Sequence, residues 1–198
     1  MIKRYLLISI FCTSCGTVDY SYFNDLKNYY SKNKITVDQS FIENQNYSFI
    51  KVSNSKNDAV FILLSIDEFG VHEWIGSNYE SIKTKDGLII ETKGLQSDIK
   101  FYSYDISMLE NASNLDTEID LYSPDLYYAK IRLKKLSSLA YINDQGNEIT
   151  VFKYTRSVPE IGWRAKESYT FKDGVIYKSI QQINPMLEPL EVTFYFKY

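Results

Sequence analysis

The chain has 198 residues, with 25 acids against 22 lysines and arginines and a formal charge of −3. That length holds one domain with a substantial core. The acidic balance excludes nucleic acid as a partner, because phosphate neutralisation needs a basic surface, and it excludes electrostatic adhesion to anionic lipid.

The N-terminus reads as an export signal. Lys3 and Arg4 supply a positive start, residues 5–11 an apolar run, and Thr13 and Ser14 small residues ahead of Cys15. A cysteine directly after the cut marks a bacterial lipoprotein, so Cys15 is the expected acyl (palmitate) attachment residue. Thr13 and Ser14 fit the lipobox Leu-(Ala/Ser/Thr)-(Gly/Ala/Ser)-Cys, while Cys12 stands where Leu is usual. Cutting before Cys12 instead would leave bulky Phe11 where a small side chain is wanted. The apolar run is too short to span a bilayer, which takes about 20 residues. Cleavage after residue 14 removes two basic residues and no acid, leaving 184 residues with a charge of −5. Cys15 is then the only cysteine, so no intrachain disulfide can form, and attachment rests on its acyl chains. Gly16 follows Cys15, and Asp19 lies too far along to act as an inner-membrane retention aspartate. Outer-membrane sorting, facing the periplasm of a Gram-negative cell, is the expectation.

A helix is expected over residues 20–31, where Tyr22, Phe23, Leu26, Tyr29 and Tyr30 form one apolar stripe behind Asp19 as N-cap. From Tyr47 onward the pattern turns to strands. Residues 49–52 make a short one. Residues 59–66 are apolar enough to predict a central strand covered on both faces. Strands at 71–75, 81–84, 88–92 and 98–104 follow, with Asp86-Gly87 as a hairpin turn. Residues 106–127 are rich in Asn, Asp, Ser and Glu, and read as a long connection with a short helix at 106–112. Strands resume at 128–133, 139–143, 148–154, 165–171 and 175–182, the last two joined by Asp173-Gly174. Residues 190–198 close the chain, with Val192, Phe194 and Phe196 on one face and Glu191, Thr193 and Tyr195 on the other. Ten or eleven short strands on hairpin-length links predict a mainly β fold, an antiparallel sandwich or a partly open β-barrel with an N-terminal helix, over a single domain of residues 15–198.

Catalytic patterns are sparse. His72 is the only histidine and shares a strand face with Trp74. No nucleophile elbow, phosphate loop or dinucleotide loop occurs. One histidine and one acylated cysteine cannot build a zinc tetrahedron, so no metal, cofactor or catalytic residue is expected. A pair of facing carboxylates, as in glycosidases, stays open as an alternative, although Asp67, Asp86, Asp144 and Asp173 are explained by their turns. The aromatic content is high, with 18 Tyr, 11 Phe and 2 Trp. Much of it suits strands, but exposed rings also stack on sugars and anchor partners. Trp74, Tyr79, Tyr127, Tyr128, Trp163 and Tyr169 are the candidates for such a glycan or partner surface, with Trp74, Tyr79, Trp163 and Tyr169 foremost.

Several segments carry a family likeness. Tyr47-Ser48, the apolar run at residues 60–66, Trp74, and the stretch Ile82-Lys83-Thr84-Lys85-Asp86-Gly87-Leu88 through Thr92-Lys93-Gly94-Leu95 resemble the YjbF/GfcB family of capsule and exopolysaccharide lipoproteins. Ile35-Thr36-Val37, Val175 to Gln181 and Phe194-Tyr195-Phe196-Lys197 are similar to further segments of that family, with Tyr198 where proline is usual. The resemblance implies a mainly β accessory lipoprotein, not an enzyme, serving polysaccharide assembly or export, with polysaccharide or other export proteins as partners. A lipid or lipoprotein carrier built on a half-open barrel is the alternative from another class.

Overall fold

The computed structural model describes residues 34–103 and 114–197, within a compact unit spanning residues 33–198. The Cys15 signal and the helices expected at 20–31 and 106–112 lie outside the described residues.

Twelve antiparallel strands form a closed barrel in which sequence neighbours are spatial neighbours. They are β1 (Phe49–Ser53), β2 (Asp58–Ile66), β3 (His72–Ile75), β4 (Ser81–Lys85), β5 (Leu88–Lys93) and β6 (Ile99–Phe101), then β7 (Asn114–Tyr122), β8 (Asp125–Ile142), β9 (Glu148–Val158), β10 (Trp163–Lys172), β11 (Val175–Gln181) and β12 (Leu190–Tyr195). The ring closes where β1 meets β12, with Phe49 opposite Tyr195 and Val52 opposite Val192. Closure removes the exposed edges that an open sheet would carry. The mainly β, antiparallel expectation therefore holds in its barrel form, with a closed ring of twelve strands. A short helix, α1 (Gln39–Asn44), is capped by the Asp38 carboxylate on Phe41 N at 2.7 Å. It lays Phe41 edge-on against Phe49, which stacks on Tyr195 on the outer wall.

Both Asp-Gly hairpins form as expected. Asp86 and Gly87 (φ 49° and 84°) and Asp173 and Gly174 (φ 51° and 77°) all take left-handed backbone, the requirement of a tight two-residue turn matching strand twist. Gly87 has a second constraint, since a Cβ there would sit 2.5 Å from Ile176 Cγ1. The alternation at the C-terminus also holds, because Leu190, Val192 and Phe194 are buried while their neighbours are half-exposed.

Three expectations need correction. Strand β7 occupies residues read as a long connection. Its acids lie on the outer side at Asp116 and Glu118, while Leu115, Ile119 and Leu121 point inward; the polar composition masked a period of two. The runs at 128–133 and 139–143 are one strand, β8, continuous through a bulge near Leu136. The intervening Lys and Ser residues suit a strand whose sides face water. Finally, β2 is not covered on both faces, since Ile62, Leu64 and Ile66 are exposed.

Trp74, Ile82, Ile89, Ile99, Ile119, Leu133, Phe152, Tyr154, Val192 and Phe194 share one buried cluster. Lysines and acids stand on the outer wall, for example Lys83 with Glu91 and Lys178 with Glu191. An apolar interior with a charged exterior reverses the arrangement of a barrel that crosses lipid. Among the described residues, no helix is long and apolar enough to cross a membrane.

Candidate functional site

The foremost aromatic candidates divide by strand parity. Trp74 is wholly buried on the inner face of β3, donates from Nε1 to Thr84 Oγ1 at 2.8 Å, and stacks on His72 at 5.6 Å. Burial lowers the His72 pKa, so its imidazole serves as a neutral packing ring. In β10, Trp163, Ala165, Glu167, Tyr169 and Phe171 alternate inward. Trp163 and Tyr169 are thereby buried and, like Trp74, present no ring to a ligand at the surface. Tyr79 alone of these four stands free, 86% exposed on the loop between β3 and β4.

Tyr169 belongs to a sealed polar network. Arg156 and Glu167 are both inaccessible, with Arg156 Nε 2.7 Å from Glu167 Oε1. The Tyr169 hydroxyl donates to Glu167 Oε2 at 2.8 Å. Gln181 Nε2 donates to the Gly87 carbonyl and to Ser179 Oγ, while its Oε1 accepts from Ile89 N. Phe101 lies 5.5 Å under the Arg156 guanidinium. Burial pushes the Glu167 carboxyl up against the pull of Arg156, and burial likewise raises the Tyr169 phenol. These groups tie β5, β9, β10 and β11 together across the barrel, and their complete burial leaves them a structural role.

The tyrosines that do converge lie on the outer wall where β6, β7 and β8 meet. Tyr102 and Tyr128 stack at 4.6 Å with their planes 20° apart. Tyr122 meets Tyr127 edge-on at 5.9 Å. All four are at least 40% exposed. The two-residue link Ser123-Pro124, which contains a cis peptide bond, brings Tyr122 back beside Asp125 and Tyr127. A bulge between Ile119 and Leu121 places the buried carboxylate of Asp120 behind the rings. Asp120 Oδ1 accepts from Tyr128 N at 2.9 Å, and its Oδ2 accepts from the Tyr102 hydroxyl. Tyr128 takes left-handed backbone (φ 54°), a conformation uncommon for a bulky residue; the Asp120 bond holds it there. The same carboxylate, first among its neighbours, raises the Tyr102 phenol above its ordinary value.

This tyrosine face runs into a groove of about 390 Å³ lined by Asp116, Thr117, Glu118, Lys130, Ile131, Arg132 and Pro159. The two are continuous by register. Tyr102 N donates to Glu118 O, Thr117 Oγ1 donates to Ser103 O, and Tyr128 lies two residues before Lys130 on the same strand. A second groove, of about 440 Å³, surrounds Asp58 at the base of β2. There Asp58 accepts from Ile35 N at 2.8 Å and pairs with Lys34 and Lys51, which clasps residues 34–37 to the barrel. Asp116 pairs with Arg132 in the first groove and Asp58 with Lys34 and Lys51 in the second, and no cluster of metal-ligating side chains occurs among the described residues.

Tyr127 and Tyr128 were legible as surface candidates from sequence. Tyr102 and Tyr122 were not, because one ends a strand and the other sits in the stretch read as a connection. The available signal was three tyrosines bracketing Ser-Pro-Asp at residues 122–128.

A family model for the group 4 capsule polysaccharide lipoproteins, GfcB and YjbF, matches residues 16–195. The chain belongs to this family. Membership makes it a capsule-related lipoprotein, in agreement with the sequence likeness. Its fold is similar to the crystal structure of the hypothetical lipoprotein YmcC from Escherichia coli (K12), with a TM-score of 0.64 and 14% identity over 90% of this chain and 95% of that one. No curated protein matches it by sequence.

Proposed function

We propose that this chain is a non-enzymatic accessory lipoprotein of capsule or exopolysaccharide assembly or export, held at the outer membrane through acylated Cys15 and facing the periplasm. Its outer wall meets the polysaccharide. One observation carries the reading: an exposed tyrosine face of two ring pairs where β6, β7 and β8 meet, in a chain of the capsule lipoprotein family. A Tyr102 ring anchored by Asp120 and stacked on Tyr128 meets a ligand at a reduced ordering cost. The family match also begins at residue 16, one past Cys15, which supports the anchor.

The carrier alternative needs an apolar cavity, whereas the described inner face carries a buried cluster of Trp74, Ile82, Phe152 and their neighbours. The enzyme alternative needs two carboxylates facing one substrate. Asp58, Asp120 and Glu167 are each bound to structural partners. Deleting the gene and staining the cell surface tests the proposal: loss of surface polysaccharide is expected, and unchanged capsule refutes it. Metabolic palmitate labelling should disappear in Cys15→Ser, and persistent labelling would overturn the anchor.

A further inference from the structure

We infer that the tyrosine face and the adjoining groove form one elongated binding site for an uncharged polysaccharide chain, laid along β7 and β8; this rests on the capsule reading above. From Tyr122 to Asp116 the strand covers about 20 Å at the usual rise per residue, a length that takes several sugar rings. Flat aromatic surfaces sit at one end and hydrogen-bonding side chains at the other. Sugar rings offer apolar faces to stack and hydroxyls to bond, so both ends suit the same polymer.

The two cations lining the groove each face an acid across the strands. Lys130 is opposite Glu118 and Arg132 opposite Asp116, while Lys100 holds its ammonium 5.6 Å from the centre of the Tyr102 ring. Arg132 Nε lies 2.6 Å from Asp116 Oδ1. Glu160 also accepts from Lys130 N, and Asp125 begins the strand nearby. A polyanion needs unmatched lysines or arginines to meet its carboxylates or phosphates, and here acids outnumber cations. Paired charges still present donors and acceptors to neutral hydroxyls. An uncharged chain is the ligand this wall fits.

Asp120 fixes the backbone of Tyr128 and the hydroxyl of Tyr102 together, and the Tyr128 ring stacks on the Tyr102 ring so anchored.

The test uses the full-length lipoprotein in detergent micelles and surface polysaccharide extracted from the producing bacterium, split by anion exchange into neutral and acidic fractions. Native electrophoresis through gels containing each fraction reads retardation. Retardation by the neutral fraction is expected, insensitive to salt. It should weaken roughly two- to tenfold in Tyr127→Ala, and further when Tyr128→Asn is added. Asn tolerates the left-handed backbone, so the double variant keeps its fold, which a thermal melt verifies. Retardation by the acidic fraction alone, no retardation by either, or retardation unaffected by the double variant would each overturn the inference. Expression in the deletion strain separates the two claims. Unchanged capsule on deletion refutes the functional reading. Full rescue of a deletion defect by the double variant leaves that reading intact and refutes this site.

Discussion

Two sets of aromatic rings, one inside the barrel and one outside, show how the same residue types do different work. Inside, Trp74, Tyr154, Tyr169 and Phe194 pack against one another or meet buried partners, as Trp74 does at Thr84 and Tyr169 at Glu167. Burial alone pushes the Tyr154 phenol up to about 12, and it stays neutral at any ordinary pH. Outside, Tyr102, Tyr122, Tyr127 and Tyr128 also form pairs with each other, yet their remaining surfaces face water. Both sets are backed by a buried carboxylate. Glu167 supports the inner set and is itself paired with Arg156, whereas Asp120 supports the outer set and accepts only from a hydroxyl and a backbone N–H. The inner carboxylate therefore balances a charge, and the outer one aims two rings.

This contrast predicts a graded response to substitution. The largest loss belongs to the inner pair. Glu167→Ala strands a buried guanidinium and should cost about 3–5 kcal/mol, read as a lower urea midpoint. Replacing both partners with apolar residues, Arg156→Met with Glu167→Leu, should recover most of that loss, because the desolvation cost goes with the charges. If the double variant is no better than the single, the network is doing more than neutralising its own charges. Trp74→Ala follows at about 3–5 kcal/mol for a large ring deleted from a closed interior. Trp74→Phe should cost less, mainly through the Thr84 hydroxyl left without its donor, worth about 1–3 kcal/mol.

The inner set was misassigned from sequence for a definite physical reason. Whether Trp163 and Tyr169 face in or out depends on the parity of β10, and composition does not reveal which parity faces the core. The inward run Trp163, Ala165, Glu167, Tyr169, Phe171 contains a charged residue, which disguises it as a mixed surface. Glu167 becomes intelligible only when Arg156 arrives from β9, eleven residues away. The hairpins were legible because Asp-Gly is a local signal with a local cause. Strand β7 was not, since its Asp and Glu lie on the wet side and mimic loop composition. Ring closure depends on β1 meeting β12, a pairing across almost the whole chain that no local pattern encodes.

Asp58 lies between the two extremes, with a buried carboxylate and half-exposed lysines around it. Burial opposes its ionisation but is outweighed by bonds from Ile35 N, Lys51, Lys34 and Ser53, which hold its pKa well below the usual carboxylate range. A folded-state value below the unfolded one means that the folded chain binds fewer protons, so the contribution is complete above the unfolded value of about 3.9. It is lost as pH falls from there toward the folded value. The stability gap between wild type and Asp58→Asn should thus be flat from neutral pH down to about pH 4 and shrink below it. A gap that widens in acid would contradict the clasp.

The smallest effect on stability is the most informative about function. Tyr127 is 54% exposed and touches Tyr122 only at its edge, so Tyr127→Ala should leave the unfolding free energy within about 0.5 kcal/mol of wild type. A residue that can be deleted at so little cost is not retained by folding. If its loss nonetheless weakens retardation by neutral polysaccharide, the outer rings are separated from the inner ones by what they do as well as by where they sit. If Tyr127→Ala instead destabilises the chain by as much as a buried ring would, the outer tyrosines are an extension of the core, and the distinction between the two sets fails.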